Sequence, residues 1–178
     1  RNHAALVILP AGDLNREKDY LALVRQAHLD AVIYLGPIPD PILGHLIRQG
    51  PPAVIADLPA PRGNADAVYF DNRAGAEVAA THLAELGHRH LAILTGPSDQ
   101  VASTEREEAA LSVWSARGIP AAAIRKLHGD FTRDSGRKAA EQLLRSGAMP
   151  SAIFALNDEM AIGLMEIFRM DGRYRVPQ

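Results

Sequence analysis

Short runs of β-branched and apolar residues alternate with helical windows along this 178-residue chain, and that alternation restricts the fold more than any single motif. A strand followed by a helix and another strand must return by a crossover, which yields a parallel sheet flanked by helices. "AALVIL" (4–9), "AVIYL" (31–35), "AVIAD" (53–57) and "AVYF" (67–70) read as strands of a first series. A helix over 15–29, with Leu21, Val24 and Leu29 among its inward candidates, and a shorter one over 40–49 separate them. The Pro-, Gly- and Asn-rich stretch 58–66 reads as a loop. A second series predicts helices over 72–87, 103–117, 133–147 and 157–170, with strands at 91–95, 122–129 and 151–156. Asn72 is read as an N-cap and Gly87 as a helix stop. Asp71–Asn72 divides two stretches of similar make-up, so two α/β lobes are expected, 1–71 and 72–178.

Composition removes several classes of function. A hydrophobic content of 47% suits a globular core, and a net charge of −2 without a dense Lys/Arg run offers no obvious nucleic-acid surface. Cysteine is absent, which excludes disulfides and thiolate chemistry. No apolar run reaches membrane-span length and no signal-peptide pattern opens the chain. "RNHAALVILP" starts almost directly on a strand and without Met, so the sequence reads as a fragment.

In parallel sheets the residues that follow each strand share one edge. Here they are Asp57, Asp71, Thr95-Gly96, Asp130-Phe131 and Asn157-Asp158. Caps and loops require such residues, yet the same edge is where open α/β sheets hold ligands. Carboxylates accept from hydroxyls, an amide donates and accepts, and an aromatic face stacks, so the set suits a small polyhydroxylated or amide-bearing molecule. Catalytic patterns are missing: no G-x-G-x-x-G, no Walker loop, and no G-x-S-x-G, with "GPSDQ" (96–100) lacking the second Gly. His88 and His90 lie two apart without an obvious third metal ligand, and no metal or cofactor is expected. "EVAATHLAELGHRH" superficially resembles a helix-turn-helix, but a strand follows Gly87 at once. Trp114 reads as core or lobe surface. Arg106, placed in the first turn of its helix, opposes the dipole preference for anions, and such broken local rules are expected at functional sites.

Three stretches of the second series, "FDNRAGAEVAATHLAELGHRHLAILTGP" (70–97), "GDFTRDSG" (129–136) and "PSAIFALNDEMAIG" (150–163), closely resemble the effector-binding core of LacI/GalR-family transcription regulators. "AVIYLGP" and "PPAVIADL" agree more loosely. The resemblance implies two Rossmann-like, periplasmic-binding-protein-like lobes with a sugar or related small molecule between them, and no enzyme activity. It implies ligand-binding roles for Asp57, Arg106, Phe131 and Asn157, and for Gln100 in the variable loop that also holds Ala102. Asn72 and Asp158 are expected to support the site, with Asp158 as strut or cap. Ala109 departs from the Gly of the family's R-x-x-G motif. The DNA-binding headpiece, the first strand and helix of the core, and its last elements are expected to be missing. An unpaired edge or a gap is therefore expected in the first sheet, beside the strand at 4–9, unless residues outside this sequence fill it. A cytoplasmic homodimer reaching operator DNA only through absent residues is implied, as is the alternative of a transport-linked solute-binding protein of the same fold.

Overall fold

The computed structural model describes residues 29–35, 44, 48, 50–57 and 66–174. The strand expected at 4–9, its edge, nearly all of the helices expected at 15–29 and 40–49, and the loop at 58–65 lie outside the described residues. The chain divides into two compact units, Arg1–Phe70 and Asp71–Gln178.

In the first unit, β1 (Val32–Leu35), β2 (Ala53–Ala56) and β3 (Asp66–Val68) pair in parallel in the order β1-β2-β3. Val32 pairs with Ala53 and Val54 with Asp66. Burial pushes the Tyr34 phenol up to about 12, because desolvation disfavours its charged form.

The second unit contains α1 (Asn72–Glu85), β4 (Leu91–Thr95), α2 (Val101–Ala116), β5 (Ile124–His128), α3 (Arg133–Ser146), β6 (Ala152–Ala155) and α4 (Asp158–Asp171). A short 3-10 turn, Ala121–Ala123, takes the beginning of the strand expected at 122–129. The parallel sheet runs β5-β4-β6. All five β4 residues are buried, as a central parallel strand with both faces covered requires. Among the described residues β5 has one neighbour in its sheet, β4, and it carries adjacent cations. Arg125 Nη1 donates to Ser146 Oγ at 2.6 Å, and Lys126 pairs with Glu107 at 2.6 Å.

Helices α1 and α2 pack together, as do α3 and α4. The β4→β5 and β5→β6 crossovers run in opposite directions across the sheet, so right-handed connections put α2 and α3 on opposite faces. Trp114 is fully buried and its Nε1 donates to the Ala80 carbonyl at 3.0 Å, fastening α2 to α1. Its edge meets Phe154 of β6, with ring centroids 6.3 Å apart. Ala109, at the R-x-x-G departure, is buried. The α3–α4 contact is a backbone contact. A Cβ on Gly136 would lie 2.2 Å from the Met160 carbonyl oxygen, and one on Gly163 would lie 2.1 Å from that of Arg133. Glu166 then bridges Arg133 and Arg137.

Two local expectations are corrected. Asn72 is not the N-cap of α1; Asp71 is, and its Oδ1 accepts from Ala74 N at 2.9 Å. Arg106 is not in a first turn, because α2 begins at Val101. Extended Gln100 takes bonds from Ser103 N and Thr104 N on its own carbonyl, so the helix starts without a side-chain cap.

Candidate functional site

The second sheet's edge beyond the C-terminal ends of its strands has the topology of a ligand crevice. Neighbouring strands β4 and β6 lead into α2 and α4 respectively, and these helices belong to opposite pairs. The loops diverge where strand order reverses, the position at which open α/β sheets hold their ligands.

Phe131 follows β5 with φ 67°, a left-handed backbone that a bulky residue adopts only when its surroundings enforce it. Two contacts do so. Asn157 Nδ2 donates to the Phe131 carbonyl at 2.8 Å, reaching from the end of β6 to the end of β5. The Phe131 ring lies over Gly96 at the end of β4, where a Cβ would come within 2.3 Å of it. Gly96 is needed because the ring occupies the space any side chain would take. Asp57, at the end of β2 in the other unit, has φ 68°, and its N–H donates to Val68 O at 2.8 Å. Among the described residues these two are the only non-glycine positions with positive φ.

The division of labour expected at Asn157-Asp158 is also corrected. Asn157 is itself the N-cap of α4, its Oδ1 accepting from Met160 N at 3.0 Å. An N-cap side chain reaches the N–H three residues on, which suits Asn157 and leaves Asp158 as an exposed acid of the first turn. Asn157 keeps one amide N–H and one carbonyl lone pair beyond these two bonds.

Arg106 projects from the second turn of α2 to the end of β6. Its Nε donates to Asn72 Oδ1 at 2.9 Å and its Nη1 to the buried Leu156 carbonyl at 2.6 Å. Asn72 Nδ2 donates to Glu105 Oε2 at 3.1 Å. A guanidinium has five N–H groups. Among the described residues no group accepts from Nη2, so the half-buried fork has donors to spare at the strand-end edge. Gln100 is exposed at the entry to α2. The site thus joins Arg106, Phe131 and Asn157 in one unit with Gln100 at its margin, while Asp57 belongs to the other unit. Sequence reasoning missed Glu105, which reads as a solvated helix acid, and it placed Gly96 at the strand-end edge without its role, which depends on a ring 35 residues on.

Asp130, beside Phe131, holds its turn through one carboxylate oxygen that accepts from Thr132 N at 2.9 Å and Thr132 Oγ1 at 2.5 Å. These bonds, led by the Thr132 hydroxyl, lower its pKa to about 2. The folded state prefers the charged form. Its contribution to stability is therefore complete above the ordinary 3.8 and is lost as pH falls through about 2. Asp130→Asn should flatten that part of the acid limb, seen as a smaller shift in urea midpoint between pH 4 and pH 2 than in the parent.

Ser151 and His88 do not form a nucleophile–base pair. Ser151 Oγ donates to the His90 carbonyl at 2.9 Å, so it accepts from His88 Nδ1 at 3.1 Å. Among the described residues no group of His, Asp and Glu is placed to hold a metal, and no helix is long and apolar enough to cross a membrane.

A fold of parallel sheets flanked by helices, with its polar cluster at a strand-end crevice, defines a ligand-binding α/β unit. Residues 80–178 match the periplasmic binding protein-like domain, and the chain belongs to that family. It is 34% identical to the HTH-type transcriptional regulator CelR of Thermobifida fusca over 154 residues, 85% of this chain and 45% of that protein. It is 29% identical to the HTH-type transcriptional repressor CytR of Escherichia coli K12 over 180 residues, 99% and 52% respectively. The chain spans about half the length of these relatives. A LacI family transcriptional regulator from Enterococcus faecium with bound ribose superposes with TM-score 0.78 at 27% identity, over 88% of this chain and 58% of that one. A CelR–cellobiose complex superposes with TM-score 0.76 at 30% identity, over 91% and 50%. The resemblance to the effector-binding core of LacI-family regulators therefore holds in sequence and in fold. These relatives are regulators rather than enzymes by name.

Proposed function

We propose that this chain is the ligand-sensing core of a sugar-responsive LacI/GalR-type repressor. It binds a small molecule, a sugar or a close relative, and so controls DNA binding by a helix-turn-helix headpiece outside these residues. The observation that carries the reading is the pair of left-handed residues, Asp57 and Phe131, each at the end of a parallel strand. Backbone strain of this kind persists where surrounding structure enforces it, and it clusters at ligand clamps. Beside Phe131, Arg106 and Asn157 retain donors suited to hydroxyl groups. Asp57 is included among the proposed ligand contacts, with Gln100 tuning selectivity and Asn72 as support.

The whole protein acts as a cytoplasmic homodimer, since paired headpieces read paired half-sites, and it carries out no catalysis. Effector binding biases two states by the differential affinity it has for them, typically about 1–3 kcal/mol. The test is a thermal-shift screen of the full-length protein against sugars, sugar phosphates and nucleobases, followed by operator binding with and without each hit. A sugar that raises Tm and changes operator affinity is the expected result. A sugar that raises Tm in a protein with no DNA affinity would favour a solute-binding role instead.

A further inference from the structure

Asn72 presents a problem that helix capping does not solve. It is 9% exposed, the cap of α1 is made by Asp71, and a buried amide is costly unless both its ends are bonded. Its two ends meet groups of opposite kind: the acceptor-only carboxylate of Glu105 and the donor-only guanidinium of Arg106. Only one orientation of the amide satisfies both, with Nδ2 toward Glu105 and Oδ1 toward Arg106. The order of the bonds then fixes the guanidinium. Nε is turned to Asn72, Nη1 reaches the Leu156 carbonyl beside Asn157, and Nη2, which has no partner among the described residues, is left as the remaining edge of the fork.

We infer that Asn72, itself oriented by Glu105, is a positioning residue that sets the rotation of the Arg106 fork so that Nη2 is offered to ligand. This deepens the sugar-sensing reading and rests on it for the identity of the ligand, but the orienting chain Glu105–Asn72–Arg106 stands on geometry alone. It also places the first residue of α1, immediately after the junction of the two units at Phe70–Asp71, in bonded series with the binding guanidinium.

Two readouts on the full-length protein test it. Hydrogen exchange at Arg106 Nε–H, followed by NMR with 15N-arginine and assigned through Arg106→Lys, should be slow in the parent. It should rise at least ten-fold in Asn72→Ala and in Glu105→Ala, and stay slow in Asn72→Asp, which keeps an acceptor toward Nε. Titration with cellobiose and with ribose should show Asn72→Ala and Arg106→Ala losing affinity by similar factors, the double variant being no worse than Arg106→Ala. Unchanged exchange in Glu105→Ala and Asn72→Ala would overturn the positioning role, as would fully additive losses in the double variant. If neither sugar binds the parent, the sugar reading fails while the exchange rates still decide the role of Asn72. Should Asn72→Ala fail to fold, Glu105→Ala carries the exchange test.

Discussion

Arg106→Ala in the full-length protein is expected to cut effector affinity by about 10- to 100-fold, the loss typical of a hydrogen bond from a charged donor. Structure changes what the apo protein should do. Sequence alone would leave apo stability untouched, but Arg106 also satisfies the carbonyl of Leu156, a residue only 3% exposed. An orphaned buried acceptor costs about 1–3 kcal/mol, so the apo urea midpoint should fall as well. Asn157→Ala should behave alike, because capping Met160 N contributes roughly 1 kcal/mol and the bond to Phe131 steadies a left-handed residue. Isothermal titration well below each variant's Tm separates the two effects. Affinity that stays at the parent value in both would remove Arg106 and Asn157 from the site.

Gly163→Ala should be the more damaging change to the fold. The new methyl would lie 2.1 Å from the Arg133 oxygen and 2.9 Å from Arg137 N, both backbone atoms that cannot step aside unless α3 and α4 separate. A loss of about 3 kcal/mol or more is expected, the upper range for overpacking, with Gly136→Ala close behind. Gly75→Ala is the control, since nothing lies within 4 Å of its added Cβ. That variant should gain roughly 0.5–1 kcal/mol from better helix propensity. Urea unfolding of all three decides the matter; Gly163→Ala as stable as the parent would mean the helices do not meet through backbone.

The order of elements in the second unit was legible because period-2 and period-3.6 patterns alternate cleanly there, and β4 occupies the span its apolar run suggested. Boundaries were less so where the capping group was backbone. Nothing in "SDQVAST" announces that the Gln100 carbonyl starts α2, which is why Arg106 looked misplaced at a helix start. Asn72 and Asn157 were found as polar residues at element starts, but their functions depended on neighbours 26 to 34 residues away that no local pattern exposes. The motif glycines are the clearest case. Gly136 and Gly163 belong to the stretches carrying the family resemblance, and their reason is the helix contact rather than a ligand.

The paired cations of β5 bear on the chain's behaviour before it is fully assembled. A strand with one neighbour presents unpaired backbone groups that could template the addition of a second chain. Arg125 and Lys126 put adjacent positive charges on that margin, and their anchors, Ser146 and Glu107, come from the two helices that flank β5 in sequence. An incoming strand would have to desolvate those charges or break the anchors, so this margin is a poor starting point for aggregation during folding.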